Sequence, residues 1–326
     1  MKITGAALAP YLTGTVRTEQ TPSGLLPHRF SAAQQEAFDD MLPYYPGEFF
    51  IGYFARNCLA AAGITVDLIT DSSRLTLKMS GTPVNDATLG VCDYVLDGRI
   101  RRSFPPRDVS FRLPPGEHRV TVWLPYFNQV TLAAIEADGE VRPVPRRPLL
   151  LTVGDSITHG VGAARPACTY AARLSRLLDM ALLNQANSGY VYDARIAARQ
   201  AEPSLILFAC GANDIRNKPL PALERETDEA LAAWCAAYPH VPATAFTPLW
   251  KPTLESDAAL AEKDQKARPI LKSLYEKHGI RVIDGLSLIP HSPAYFDHTM
   301  HPNPRGHRIL AGRLAAALAA NRKEQL

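Results

Sequence analysis

From Leu149 onward, short apolar runs recur between longer amphipathic stretches. The runs are "LLLTV" (149–153), "ALLNQA" (181–186), "SLILFAC" (204–210), "ATAFTPL" (243–249) and "RVID" (281–284). Near-continuous aliphatic runs of this length are the pattern of strands buried on both faces in a parallel sheet. The intervening "TYAARLSRLLDM" places Tyr170, Leu174, Leu177 and Leu178 at i, i+4, i+7 and i+8, one face of a helix. Near the C-terminus, Asn303 suits an N-cap and Pro304 the first helical position, with Leu310, Leu314 and Leu318 as the apolar stripe. Repeated strand–helix units predict a doubly wound α/β sheet of five parallel strands.

Before residue 148 the pattern differs. "ITVDLIT" (64–70), "RLTLKMS" (74–80), "HRVTVWLP" (118–125) and "QVTLAAIEA" (129–137) alternate or carry β-branched runs, with turns such as "LDGR" and "LPPGEH" between them. Short strands at this spacing predict an all-β sandwich or jelly roll. The first sixty residues contain one helix-like stretch, "SAAQQEAFDDML", among Pro/Gly-rich segments that read as extended covering loops. "RPVPRRP" (142–148) reads as a linker, with Arg146 and Arg147 as solvated charges. The expected division is a β domain over 1–147 and an α/β domain over 148–326.

Bulk properties narrow the function classes. A chain of 326 residues fits two domains at roughly 150 residues each. The net charge of +3, with no Lys/Arg-rich run, gives no footprint for nucleic acid. No apolar run approaches the ~18 residues of a membrane span. "MKITGAALAPYLTG" is interrupted by Gly5, Pro10 and Gly14 and lacks the apolar core of a signal peptide, so a cytoplasmic protein is expected. The five cysteines are scattered without metal-ligand or Cys-x-x-Cys spacing and read as small buried hydrophobes. Neither a metal nor an organic cofactor is expected.

The candidate chemistry lies where the predicted strands end. "LLLTVGDSITHG" breaks at Gly154, and Ser156 follows; it is either a nucleophile or a helix-capping serine. "NSGY" (187–190) follows the second strand, "GAND" (211–214) the third, and "DHTMHPNPRGH" (297–307) precedes the last helix. In a parallel sheet these loops gather at one edge, where α/β folds bind ligands. A serine hydroxyl with His301 as its base is the equipment for acyl transfer. The main-chain N–H groups of Ser156 and Gly189 and the amide of Asn213 would supply an oxyanion hole. Asp155, Asp214, His159 and His307 read more simply as loop, cap or structural residues. Tyr190 adjoins Gly189 and is a candidate pocket residue. Trp123, Tyr126 and Phe127 are candidates for sandwich core, for the domain interface or for closing the acyl pocket.

The four blocks "GDSIT", "NQANSG", "GAND" and "HPN", in that order over roughly 148–318, resemble the SGNH (GDSL-type) hydrolases. The resemblance implies a flavodoxin-like three-layer α/β/α domain and a serine esterase. Ser156 would be the nucleophile and His301 the base, with Ser156, Gly189 and Asn213 forming the oxyanion hole. That family's acid usually stands three residues before the histidine; here that position is His298, and the nearest acid is Asp297, four before. Either a local bulge brings Asp297 to the imidazole, or a main-chain carbonyl orients it, and His298 would then face the substrate. A β-sandwich before such a domain is similar to two-domain carbohydrate acetyl esterases and to some acyltransferases. The expected substrate is a small-molecule or carbohydrate ester of a short acyl group. Acyl transfer to an alcohol is the alternative, and glycan binding by an inactive site a further one. Oligomeric state is not legible.

Overall fold

The computed structural model describes residues 1–324 apart from Asp86, His298 and Thr299. Five strands, Leu149–Gly154, Ala181–Ala186, Leu205–Ala209, Ala243–Phe246 and Arg281–Ile283, form one parallel sheet. Counted along the chain, their order across the sheet is 2-1-3-4-5, the flavodoxin-like arrangement. Gly154 pairs with Ala186 on one side and Ala209 on the other, so the first three strands end level with one another.

Both faces of this sheet are covered, which is why its strands are mostly apolar, with Thr152, Asn184, Gln185 and Thr244 as buried polar residues. On one face Leu150, Leu182 and Leu207 pack against the helices Tyr170–Leu177 and Pro304–Glu324 through Tyr170, Leu174, Leu310, Leu314 and Leu318. Leu177, predicted on the buried stripe, is instead 60% exposed, while Leu178 beside it packs against this core. On the other face Leu151, Val153, Ile206 and Phe208 pack under the helices Leu220–Ala237 and Ala258–Lys277. Phe30, Phe38, Met41 and Phe54, from the first sixty residues, complete that same core.

The N-terminal half is a sandwich of two antiparallel sheets. One contains Arg17–Thr21, Gly24–His28, Asn128–Ala137, Arg74–Pro83 and Arg107–Arg112, with Lys2–Thr4 added to Asn128–Ala137. The other contains Val141–Pro143, Thr65–Thr70, His118–Trp123, Cys92–Leu96 and Arg99–Phe104, with Leu12–Thr13 added to Thr65–Thr70. Leu75, Leu77, Leu132 and Ile135 from the first sheet meet Val66, Leu68, Val120 and Val122 from the second in one core. The "LDGR" turn is a two-residue hairpin, with Leu96 opposite Arg99 and both Asp97 (φ 49°) and Gly98 (φ 77°) left-handed. That geometry matches the twist of the flanking strands.

The sheets divide between Pro143 and Leu149, but the cores do not. Ser31 and Gln34 form a capping box on the helix Ala32–Asp39. That helix and Tyr53–Cys58 are packed elements of the α/β half rather than covering loops. Arg147 is likewise no solvated linker charge: it lies 3.4 Å from the buried Asp67 carboxylate and donates to the Met180 carbonyl at 3.5 Å. Among the described residues, no helix is long and apolar enough to cross a membrane. All five cysteines are unpaired, and Cys58, Cys92, Cys168 and Cys210 are buried.

Candidate active site

The central strand ends at Gly154, and the chain turns at once into a single helical turn, Ser156–His159. The cap of that turn is Asp155, whose carboxylate accepts from the Ile157 N–H at 3.1 Å. Ser156 therefore stands one position inside, with its hydroxyl free of capping duty. Its Oγ lies 2.9 Å from His301 Nε2. Asp155 is buried, and burial pushes its carboxyl up to about 6.

His301 sits in the loop before Pro304–Glu324, with 19% of its side chain exposed. Its Nδ1 lies 3.3 Å from Asp297 Oδ2. The other carboxylate oxygen, Oδ1, accepts from the Met300 and His301 N–H groups at 2.9 and 3.0 Å. The Asp297 N–H closes the turn on the His301 carbonyl at 2.7 Å. This turn is how a four-residue spacing brings the acid to the imidazole. Asn303 fastens the loop from behind. Its amide donates to the Ala294 and Phe296 carbonyls, while its oxygen accepts from Arg305 and Gly306 at the helix start. Burial lowers the His301 pKa below its ordinary 6.5, an effect opposed by Asp297 and reinforced by Lys251.

Gly189 and Asn213 follow the flanking strands at the same edge. Gly189 has φ +87°, and a Cβ there would meet the Phe54 ring at 2.6 Å; only glycine suits both demands. The Asn213 amide donates to the Tyr190 carbonyl at 3.1 Å, which ties the two loops together; among the described residues its second N–H has no acceptor. Among the described residues, neither the Ser156 nor the Gly189 N–H has a protein acceptor.

Other sequence candidates have structural places. The Tyr190 side chain is 1% exposed and packs in the core against Phe38 and Tyr192, so it does not line the open site. His298 lies outside the described residues. Buried His159 accepts from the Ser188 N–H at 3.2 Å and packs against Phe127, and burial holds it well below the usual histidine range. His307 accepts from Tyr170 N–H on Nδ1 and donates to the Val161 carbonyl from Nε2; burial takes it down to about 4. Asp214 pairs with the buried Lys218 at 2.8 Å. Trp123 belongs to the interface, stacked under Arg176, and the Tyr126 hydroxyl donates to the Ala163 carbonyl.

Sequence reasoning missed the contribution of residues 44–54. Tyr45 donates to the Gly189 carbonyl at 2.7 Å, and Tyr44 to Glu226 at 2.6 Å. Around them Phe49, Phe50, Tyr53 and Phe54 form a continuous aromatic cluster, in which Phe49 is 58% exposed. The only available signal was the aromatic density of "YYPGEFFIGYF", which gives no partner.

Residues 152–309 match the GDSL-like lipase/acylhydrolase family. No curated protein matches the sequence. In structure the chain is similar to a salicylyl-acyltransferase, SsfX3, from a tetracycline biosynthetic pathway, with TM-score 0.78 and 21% identity over 98% of this chain and 97% of that one. It is also similar to a family two carbohydrate esterase from Clostridium thermocellum in complex with cellohexaose, with TM-score 0.66 and 15% identity over 82% and 94% of the two chains. A family two carbohydrate esterase from Cellvibrio japonicus aligns with TM-score 0.64 and 18% identity over 98% and 97%. At these identities the likeness speaks for the two-part fold, while the matched segment contains the four motif blocks. The α/β half therefore carries the GDSL-like lipase/acylhydrolase match, over residues 152–309.

Proposed function

We propose that the protein is a serine-dependent carboxylic ester hydrolase working through an acyl-enzyme on Ser156. The observation that carries this reading is the continuous line from Ser156 Oγ to His301 Nε2 and from His301 Nδ1 to Asp297. With Nδ1–H donating to Asp297, the neutral imidazole presents the Nε2 lone pair to the serine hydroxyl. Oγ attacks the ester carbonyl and its proton passes to Nε2. The tetrahedral oxyanion is met by the Ser156 and Gly189 N–H groups and the second N–H of Asn213. Collapse breaks the ester C–O bond, and His301 returns the proton to the departing alkoxide. Water then repeats the sequence, releasing the carboxylic acid and the serine.

A short acyl group, such as acetyl on a carbohydrate or other hydroxylated small molecule, is the proposed substrate class. Its support is the architecture shared with the carbohydrate esterases. The same acyl-enzyme would serve transfer to an alcohol, and partitioning of product between water and an added alcohol separates the two reactions. The direct test is a fluorophosphonate label. Stoichiometric modification mapped to Ser156, together with turnover of p-nitrophenyl acetate, is the expected result; an unmodified Ser156 refutes the mechanism.

Two further outcomes follow from this chemistry. Asn213→Ala removes one oxyanion donor, and kcat is expected to fall about 10²–10³-fold, with KM nearly unchanged, in steady-state ester hydrolysis. A loss confined to KM would show that Asn213 only binds substrate. In the pH profile, kcat/KM must rise as His301 loses its proton, so the acid limb has its midpoint below 6.5 and a plateau above it. Asp297→Asn removes the group that raises the His301 pKa. The limb is therefore expected to move to still lower pH, while the plateau drops by about 10²-fold or more because the tautomer is no longer fixed. A limb that stays in place, or moves up, would mean that Asp297 does not act on His301.

A further inference from the structure

A second feature opens at the same sheet edge, on the far side of Asn213. The loop after the fourth strand carries Lys251, which is 9% exposed. A cavity of about 450 Å³ is lined by Lys251, Arg216 and Lys263, together with Thr253, Leu260 and Met300. Arg216 lies three residues after Asn213 on the helix Ala212–Asn217, so the two share a face. Met300, immediately before His301, joins the cavity to the catalytic loop. Lys251 is also close enough to act electrostatically on both His301 and Asp155.

Among the described residues, none of these three cations makes an ion pair. The acids nearest Lys251 are otherwise engaged: both oxygens of Asp264 bind Arg268, and Asp155 caps its helical turn. The lining acid Asp257 caps Ala258–Lys277 by accepting from the Leu260 N–H. Lys263 donates only to the Arg216 carbonyl, at 3.5 Å. The start of that long helix borders the cavity through Ala259, Leu260 and, one turn on, Lys263, with Asp257 as its cap. Three cations line this cavity against one exposed carboxylate, Asp257, and a largely buried lysine in such a setting favours a bound anion.

We infer that this cavity is a subsite for an anionic group of the substrate, a carboxylate or a phosphate, held by Lys251, Lys263 and Arg216 while the ester lies over Ser156. The inference rests on the proposed acyl chemistry for what the subsite serves, but anion binding itself can be measured without turnover. The probes are monomethyl succinate (a carboxylate), methyl phosphate, and dimethyl succinate as the neutral control, each titrated into Ser156→Ala and followed by NMR in the millimolar range. At least one anion is expected to bind about tenfold tighter than the diester, and to weaken as ionic strength rises. Whichever anion is preferred names the group. Lys251→Met, and separately Lys263→Met at a more exposed position, are each expected to remove most of that preference. Equal binding of anions and diester, or a preference that survives both substitutions, overturns the inference. Failure of the serine mechanism would appear instead as an unlabelled Ser156 in the parent protein, whatever the anions do.

Discussion

Replacing Ser156 by alanine is expected to lower kcat/KM for p-nitrophenyl acetate by about 10⁴-fold or more, with no measurable loss of stability. The two halves of this expectation have separate physical grounds. The hydroxyl's partner is His301, so its removal deletes the attacking atom and leaves the base with nothing to deprotonate but water. The capping hydrogen bond of the turn belongs to Asp155, so no helix end is left open. A serine acting as a cap would instead cost about 1 kcal/mol on truncation, visible as a lowered Tm. The pair of measurements thus separates nucleophile from cap. Turnover that survives at parental rate would move the reaction off Ser156, and a lowered Tm with intact turnover would return Ser156 to a structural role. Comparing acetate with longer acyl esters in the parent then tests the short-acyl assignment: rates that rise with chain length count against it.

The parallel sheet was legible because its information is local. Strands covered on both faces are mostly apolar, and all five observed strands fall on the predicted apolar runs. The gathering of Ser156, Gly189, Asn213 and His301 at one edge followed from topology, since a parallel sheet sends every strand end the same way. The turn at Asp297 was open in the sequence between two readings. The structure brings its carboxylate to Nδ1 by an arrangement of main-chain N–H groups that no residue spacing specifies.

What escaped sequence reading is what depends on distant partners. Arg99–Phe104 and Arg107–Arg112 are charged, partly exposed strands, and their alternation is hidden by arginines that lie along the sheet surface. Tyr190 looked like a pocket residue because it follows Gly189, but its backbone turns the ring into the core while its carbonyl faces Asn213. Lys251 carries no motif at all. Its meaning comes from being nearly buried beside a cavity shared with Arg216 and Lys263. Residues 29–58 were the largest gap: they lie among sandwich strands in sequence, yet they fill the core of the α/β half.

Arg29 shows how much that gap matters, and Arg29→Met is expected to destabilise the protein by about 3–5 kcal/mol. The side chain is completely buried. Its guanidinium donates to four main-chain carbonyls: Ala60 at 2.6 Å, Asn57 at 3.1 Å, Asn184 at 2.6 Å and Ala186 at 2.9 Å. Burial pulls its pKa down to about 10, which still leaves it charged at neutral pH. Asn57 and Ala60 lie in the last turn of Tyr53–Cys58 and just beyond it, whereas Asn184 and Ala186 belong to the second parallel strand. One cation therefore ties the segment carrying Tyr53–Cys58 to the second parallel strand. Methionine fills similar volume but removes the guanidinium from four buried carbonyls, of which Asn57 keeps the Ala60 N–H; each acceptor left unpaired costs about 1–3 kcal/mol where water cannot replace the donor. Lysine keeps the charge but lacks the planar fork, so Arg29→Lys should recover only part of the loss. Urea unfolding followed by circular dichroism measures both variants, and a loss below about 1 kcal/mol for Arg29→Met would show that the carbonyls find other donors. The consequence reaches the active site, because the strand that Arg29 grips leads directly to Gly189, against which Phe54 and Tyr45 are packed.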